Sequence, residues 1–115
     1  MSDCLFCRIV RGEIPAKKIH EDEHVLAFHD INPVAPVHFL VIPKLHVPSM
    51  AALGEEHVEV MGRVMTAAAR LAGEAGCADG FRTIINTGRV GRQEVYHLHV
   101  HVLGGADVLP AMLKR

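Results

Sequence analysis

His97-Leu98-His99-Val100-His101-Val102-Leu103 alternates imidazole and aliphatic side chains without a break. In an extended strand successive side chains point to opposite faces. Leu98, Val100 and Val102 therefore go to one side, and His97, His99 and His101 to the other. The aliphatic side suits a hydrophobic core, and the opposite side carries three rings spaced about 7 Å apart. A strand of this kind requires partner strands and a covering layer, which the rest of the chain must supply.

Working outward, FRTIINTG (81–88) reads as a second strand, joined to VYHLHVHVL (95–103) by the glycine-bearing turn GRVGR (88–92). Upstream, HVLAFHD (24–30) and HFLVIP (38–43) are short, β-branched and aromatic, and the connection DINPVAPV between them carries two prolines that keep it out of a ladder. Between the two strand pairs, Val58, Met61, Val64, Met65, Ala68 and Leu71 recur at helical spacing from about Glu55 to Ala75. Glu55, Glu56 and Glu59 fall in the first turns, where the helix dipole favours anions. CLFCRIVRGE (4–13) reads as a short helix ended near Gly12 and Pro15. The expectation is an α+β chain with an antiparallel sheet of about five strands, one long helix and one short one.

Composition narrows the function. The 115 residues suit one domain spanning 1–115, with half of them apolar and a formal net charge of -1. That charge offers no footprint for nucleic acid. The opening MSDCLFCRIVRGEIP lacks a long apolar run, which argues against a signal peptide or membrane anchor and for a cytoplasmic protein. Three cysteines, an odd number, fit a reducing compartment better than a disulfide framework.

The histidine face admits three readings: a polar strand surface, a metal site built from rings two residues apart, or a catalytic face. In the last, a neutral ring attacks while a neighbour binds phosphate or moves a proton. Cys4-x-x-Cys7 is likewise half of a tetrahedral zinc site, a redox pair, or two core cysteines of a short helix.

HDINPVAPVHFLVIPKLH, FRTIINTG and GRQEVYHLHVHVLGG, taken in that order, resemble the histidine triad (HIT) family and its Hint branch, from about Cys4 to Gly105. The resemblance implies the HIT-like fold, with the sheet extended across a homodimer; Met61, Met65, Val60 and Ala67 of the long helix are candidates for that interface. It implies that His99 is the nucleophile toward the α-phosphorus of a purine nucleotide, with His101 on a phosphate oxygen and His38 completing four imidazoles with His97. Attack by Nε2 requires the proton on Nδ1 of His99, so an acceptor should face Nδ1. Asp30 matches the carboxylate for the ribose hydroxyls and Ile31 the cover of the base, though Asp30 also suits a turn before Asn32-Pro33. Asn86 resembles the phosphate-reaching asparagine. Gln93 and Glu94 lie in a turn whose backbone approaches the phosphates in relatives, and Glu94 departs from the serine of many Hint proteins.

Relatives with an N-terminal cysteine pair imply one structural zinc per chain on Cys4, Cys7, His46 and His97. A closed site of four ligands leaves no position for substrate. The reaction implied is hydrolysis of a purine nucleoside phosphoramidate, of AMP or GMP type. Cleavage of dinucleoside polyphosphates, nucleotidyl transfer, and a nucleotide-binding or regulatory module with little turnover are the alternatives.

Overall fold

The computed structural model describes residues 4–113. A short helix, α1 (Leu5–Val10), leads into β1 (Lys18–Glu21), β2 (Val25–His29) and β3 (Val37–Pro43); two single-turn 3-10 segments precede α2 (Val58–Glu74), and β4 (Arg82–Ile84) and β5 (Val100–Gly104) follow. The five strands form one sheet in the order β1-β2-β3-β5-β4, and every adjacent pair is antiparallel.

Two apolar layers sandwich the sheet. Val25, Ala27, Phe39, Val41, Val100 and Val102 pack on one face with Val64, Ala67, Ala68, Leu71 and Ala72 of α2. Leu26, Phe28, Leu40 and Ile42 pack on the other with Phe6 and Ile9 of α1. Alternation along β3 therefore feeds both layers, which is why its residues after Val37 are all buried. Ala67 belongs to the chain's own core and is not free for a dimer interface, whereas Met65 and Val58 of the same helix are exposed.

The local chemistry matches the boundaries. Gly12 ends α1 in a left-handed conformation, φ +81, that any side chain would strain. The carboxylate of Asp22 accepts hydrogen bonds from the amides of His24 and Val25 and so builds the β1-β2 turn. The amide of Gly54 donates to Nδ1 of His57 while the His57 amide donates to the Gly54 carbonyl, a reciprocal cap on the entry to α2.

Three expectations need correction. Lys18–Glu21 is a strand that the reading along the chain did not place. FRTIINTG is paired only over Arg82–Ile84. The histidine strand is paired only over Val100–Gly104, so His97 and His99 precede the ladder. The cause lies in β3, whose last residue Pro43 has no N–H to continue the pairing. Beyond that point the amide of Leu98 turns to the carbonyl of Val47, 2.7 Å away.

Candidate active site

Although the ladder starts late, the side-chain alternation survives. Leu98, Val100 and Val102 enter the α2-side core, while His99 and His97 meet Phe6 of α1 edge-on, with ring centroids 5.2 and 6.0 Å apart. Phe6 also packs edge-on against Phe28 at 5.5 Å, so the short helix walls the histidine face.

His99 is buried to 7% exposure, and its Nδ1 donates to the carbonyl oxygen of His97 at 2.8 Å. A carbonyl only accepts, so Nδ1 carries a proton, and in the neutral ring the lone pair is on Nε2. The ring of His101 lies 5.0 Å from that of His99. Nε2 of His38 is 3.0 Å from Nδ1 of His101 and 3.3 Å from a carboxylate oxygen of Asp30. Burial first, then the neighbouring imidazoles of His99 and His38, holds His101 down to about 4, so it is neutral at pH 7.

Asp30 is placed beside these rings, and its other oxygen accepts from the amide of Asn32 at 2.7 Å. It thus serves the turn as well. Ile31 projects into solvent with 90% exposure. Gln93 is buried, with Oε1 accepting from the Gly88 amide and Nε2 donating to the carbonyls of Pro48 and Val95. Its side chain is spent on bracing the 88–92 turn. That turn also needs glycine at 91, where a Cβ would meet the Thr87 carbonyl oxygen at 2.5 Å. Among the described residues neither Asn86 nor Glu94 makes a side-chain hydrogen bond or ion pair, and nothing ties them to the imidazoles. A cavity of about 530 Å³ opens between the end of α2 at Leu71 and Glu74 and the corner at Asp30 and His38; neither His99 nor His101 lines it.

A second cluster joins three distant parts of the chain. Nδ1 of His97 lies 3.4 Å from Sγ of Cys4, 3.5 Å from Sγ of Cys7 and 3.3 Å from Nδ1 of His46. Sγ of Cys7 is 3.3 Å from Nδ1 of His46. A tetrahedral ion with bonds of about 2.0–2.3 Å separates its ligands by roughly 3.3–3.8 Å, so these four atoms fit a metal ion. The ring of His97 is correctly oriented for that task, because Nε2 donates to the carbonyl of Pro43 at 2.7 Å and leaves Nδ1 unprotonated. Burial, only partly offset by the Pro43 carbonyl, pushes His97 down to about 4 and keeps it in the neutral form that binds metals. Burial and then the adjoining Cys4 thiol push the Cys7 thiol up, so a metal ion binding here would have to displace the Cys7 proton.

The reading along the chain missed Phe6, Pro43 and Val47 as parts of the site. Phe6 and Ile9, three apart on a helix, carried a signal for a packed face. The two carbonyl contributions leave no trace in residue type.

Comparison with known proteins agrees with this architecture. The HIT domain family matches residues 11–108. Protein HitA of Neisseria gonorrhoeae is 47% identical over 104 residues, covering 90% of this chain and 97% of its own. The purine nucleoside phosphoramidase of Escherichia coli is 44% identical over 111 residues, 96% of this chain and 93% of its own. The solved HIT family hydrolase of Clostridium thermocellum superposes with a TM-score of 0.92 at 41% identity, covering 98% of this chain and 99% of that one.

Proposed function

Because the chain belongs to the HIT-domain family and is a hydrolase of the histidine triad type, we propose that it cleaves purine nucleoside phosphoramidates through a nucleotidyl intermediate on His99. The observation that carries the proposal is the hydrogen bond from Nδ1 of His99 to the His97 carbonyl, which in the neutral ring puts the lone pair on Nε2. Nε2 attacks the α-phosphorus, the P–N bond breaks, and the leaving nitrogen takes up a proton from solvent and departs as the amine. Water then attacks the same phosphorus and gives a proton back to solvent, the P–Nε2 bond breaks, and the nucleotide departs with His99 restored. His101 supplies a hydrogen bond to a phosphoryl oxygen as charge grows on it, and His38 stands behind it, its Nε2 turned to Nδ1 of His101.

Asp30, set beside His38, receives the ribose hydroxyls, and the exposed Ile31 covers the base. The phosphates approach the backbone around Gln93 and Glu94, and Asn86 reaches them from the segment just after β4. Cys4, Cys7, His46 and His97 hold one structural zinc. That ion would fix the ring of His97 and tie α1 to the catalytic segment. The working form is a homodimer.

The test is to mix the protein with an adenosine phosphoramidate, quench early and measure intact mass. One added adenylyl group mapping to His99 is expected. Rapid turnover with no such adduct, together with an active His99→Ala variant, would remove the mechanism.

A further inference from the structure

The loop between β2 and β3 carries a hydrogen bond whose polarity reaches the phosphoryl site. The amide of Val34 donates to Nδ1 of His38 at 3.1 Å. A backbone N–H cannot accept, so Nδ1 of His38 must hold a lone pair and the ring proton must sit on Nε2. That Nε2–H faces two acceptors, Nδ1 of His101 at 3.0 Å and a carboxylate oxygen of Asp30 at 3.3 Å. Nδ1 of His101, receiving a proton, cannot carry one, so the proton of His101 is on Nε2.

We propose that the Val34 amide is a positioning group that fixes the tautomers of His38 and His101 in series, so that His101 presents an Nε2–H donor to the substrate's phosphoryl oxygen. The inference rests on the reading of His101 given above and adds the reason it donates rather than accepts. The side chain of Val34 is 75% exposed and irrelevant to the device. Its neighbour Pro33 and the nearby Pro36 have no amide hydrogen to offer in its place. His101 is held neutral by burial, so a single tautomer matters at physiological pH.

The same polarity separates two clusters that look alike. Asp30, His38 and His101 also bring three donor atoms within 4.8 Å of one another. A metal at Nε2 of His38 would displace the proton to Nδ1 and drive it against the Val34 amide. At His97 the arrangement is reversed, with a carbonyl on Nε2 and the lone pair turned to the cysteines. One cluster is wired for a metal and the other for a proton.

The test is nitrogen NMR of ¹⁵N-histidine protein at neutral pH, read for the tautomer of each ring, with kcat and KM on an adenosine phosphoramidate. The wild-type protein is expected to show Nε2–H at both His38 and His101; Nδ1–H or a doubly protonated ring at His38 overturns the proposal with no variant needed. Val34→Pro removes the donor and is expected to release His38 to the Nδ1–H form and lower kcat about tenfold or more with little change in KM. Val34→Ala keeps the amide and is expected to keep both tautomers. If Val34→Pro leaves both rings unchanged, or changes them with kcat intact, the positioning role is refuted. Absence of an adenylyl adduct on His99 alongside the expected tautomers would instead sink the proposed reaction and leave the wiring standing.

Discussion

Nε2 of His97 and the carbonyl oxygen of Pro43 lie 2.7 Å apart, and this bond decides which nitrogen of His97 faces the cysteines. Metal content follows from it. Protein produced with zinc present is expected to contain about one zinc per chain by elemental analysis. Cys4→Ser with Cys7→Ser is expected to lose it and to lower the melting temperature. Metal-free wild-type protein of unchanged stability would contradict a structural metal.

His99→Ala is expected to abolish turnover while nucleotide binding persists, since the variant removes the ring proposed to attack and leaves the surrounding imidazoles in place. Single-turnover rates and equilibrium dialysis with AMP separate the two effects. A loss of 10²-fold or less would mean that another group makes the bond to phosphorus.

Phe6 is buried against Phe28, His97 and His99. Phe6→Ala is expected to cost about 3 kcal/mol in urea unfolding through the cavity it leaves. The same variant unwalls one side of His99, so kcat should fall even at temperatures where the protein is fully folded. Equal activity per folded molecule would show that the ring serves packing alone.

Much of this was readable from residue order. The alternation at 97–103 placed the imidazoles opposite the α2-side core, and the spacing of Val64, Ala68 and Leu71 placed the long helix. The strand at 18–21 was not legible, because only Ile19 in Lys18-Ile19-His20-Glu21 is apolar and its burial pattern is mostly exposed, as an edge strand allows. The late start of β5 was hidden for another reason: it depends on which strand ends at Pro43, a matter of tertiary pairing. The acceptor for His99 was required by the chemistry, yet a main-chain carbonyl is supplied by every residue, so only coordinates identify it.

Acid stability should carry a signature of His101. Its ring is held at about 4 in the folded chain, chiefly by burial, against about 6.5 when unfolded. The unfolded chain therefore binds more protons between these values, so the contribution is full above about pH 6.5 and is lost as pH falls toward 4, by roughly 3 kcal/mol. Urea midpoints at pH 7 and pH 4.5 are expected to differ more for the wild type than for His101→Gln. Parallel behaviour of the two proteins would place the acid sensitivity elsewhere.

The side chain of His97 answers to Cys4, Cys7 and His46, and its main chain answers to His99. One residue is thus the pivot of two inheritable traits that selection would otherwise tune separately. A descendant that lost the cysteines, and with them any metal they held, would need some other contact to take over the anchoring of position 97, arriving before that loss or together with it.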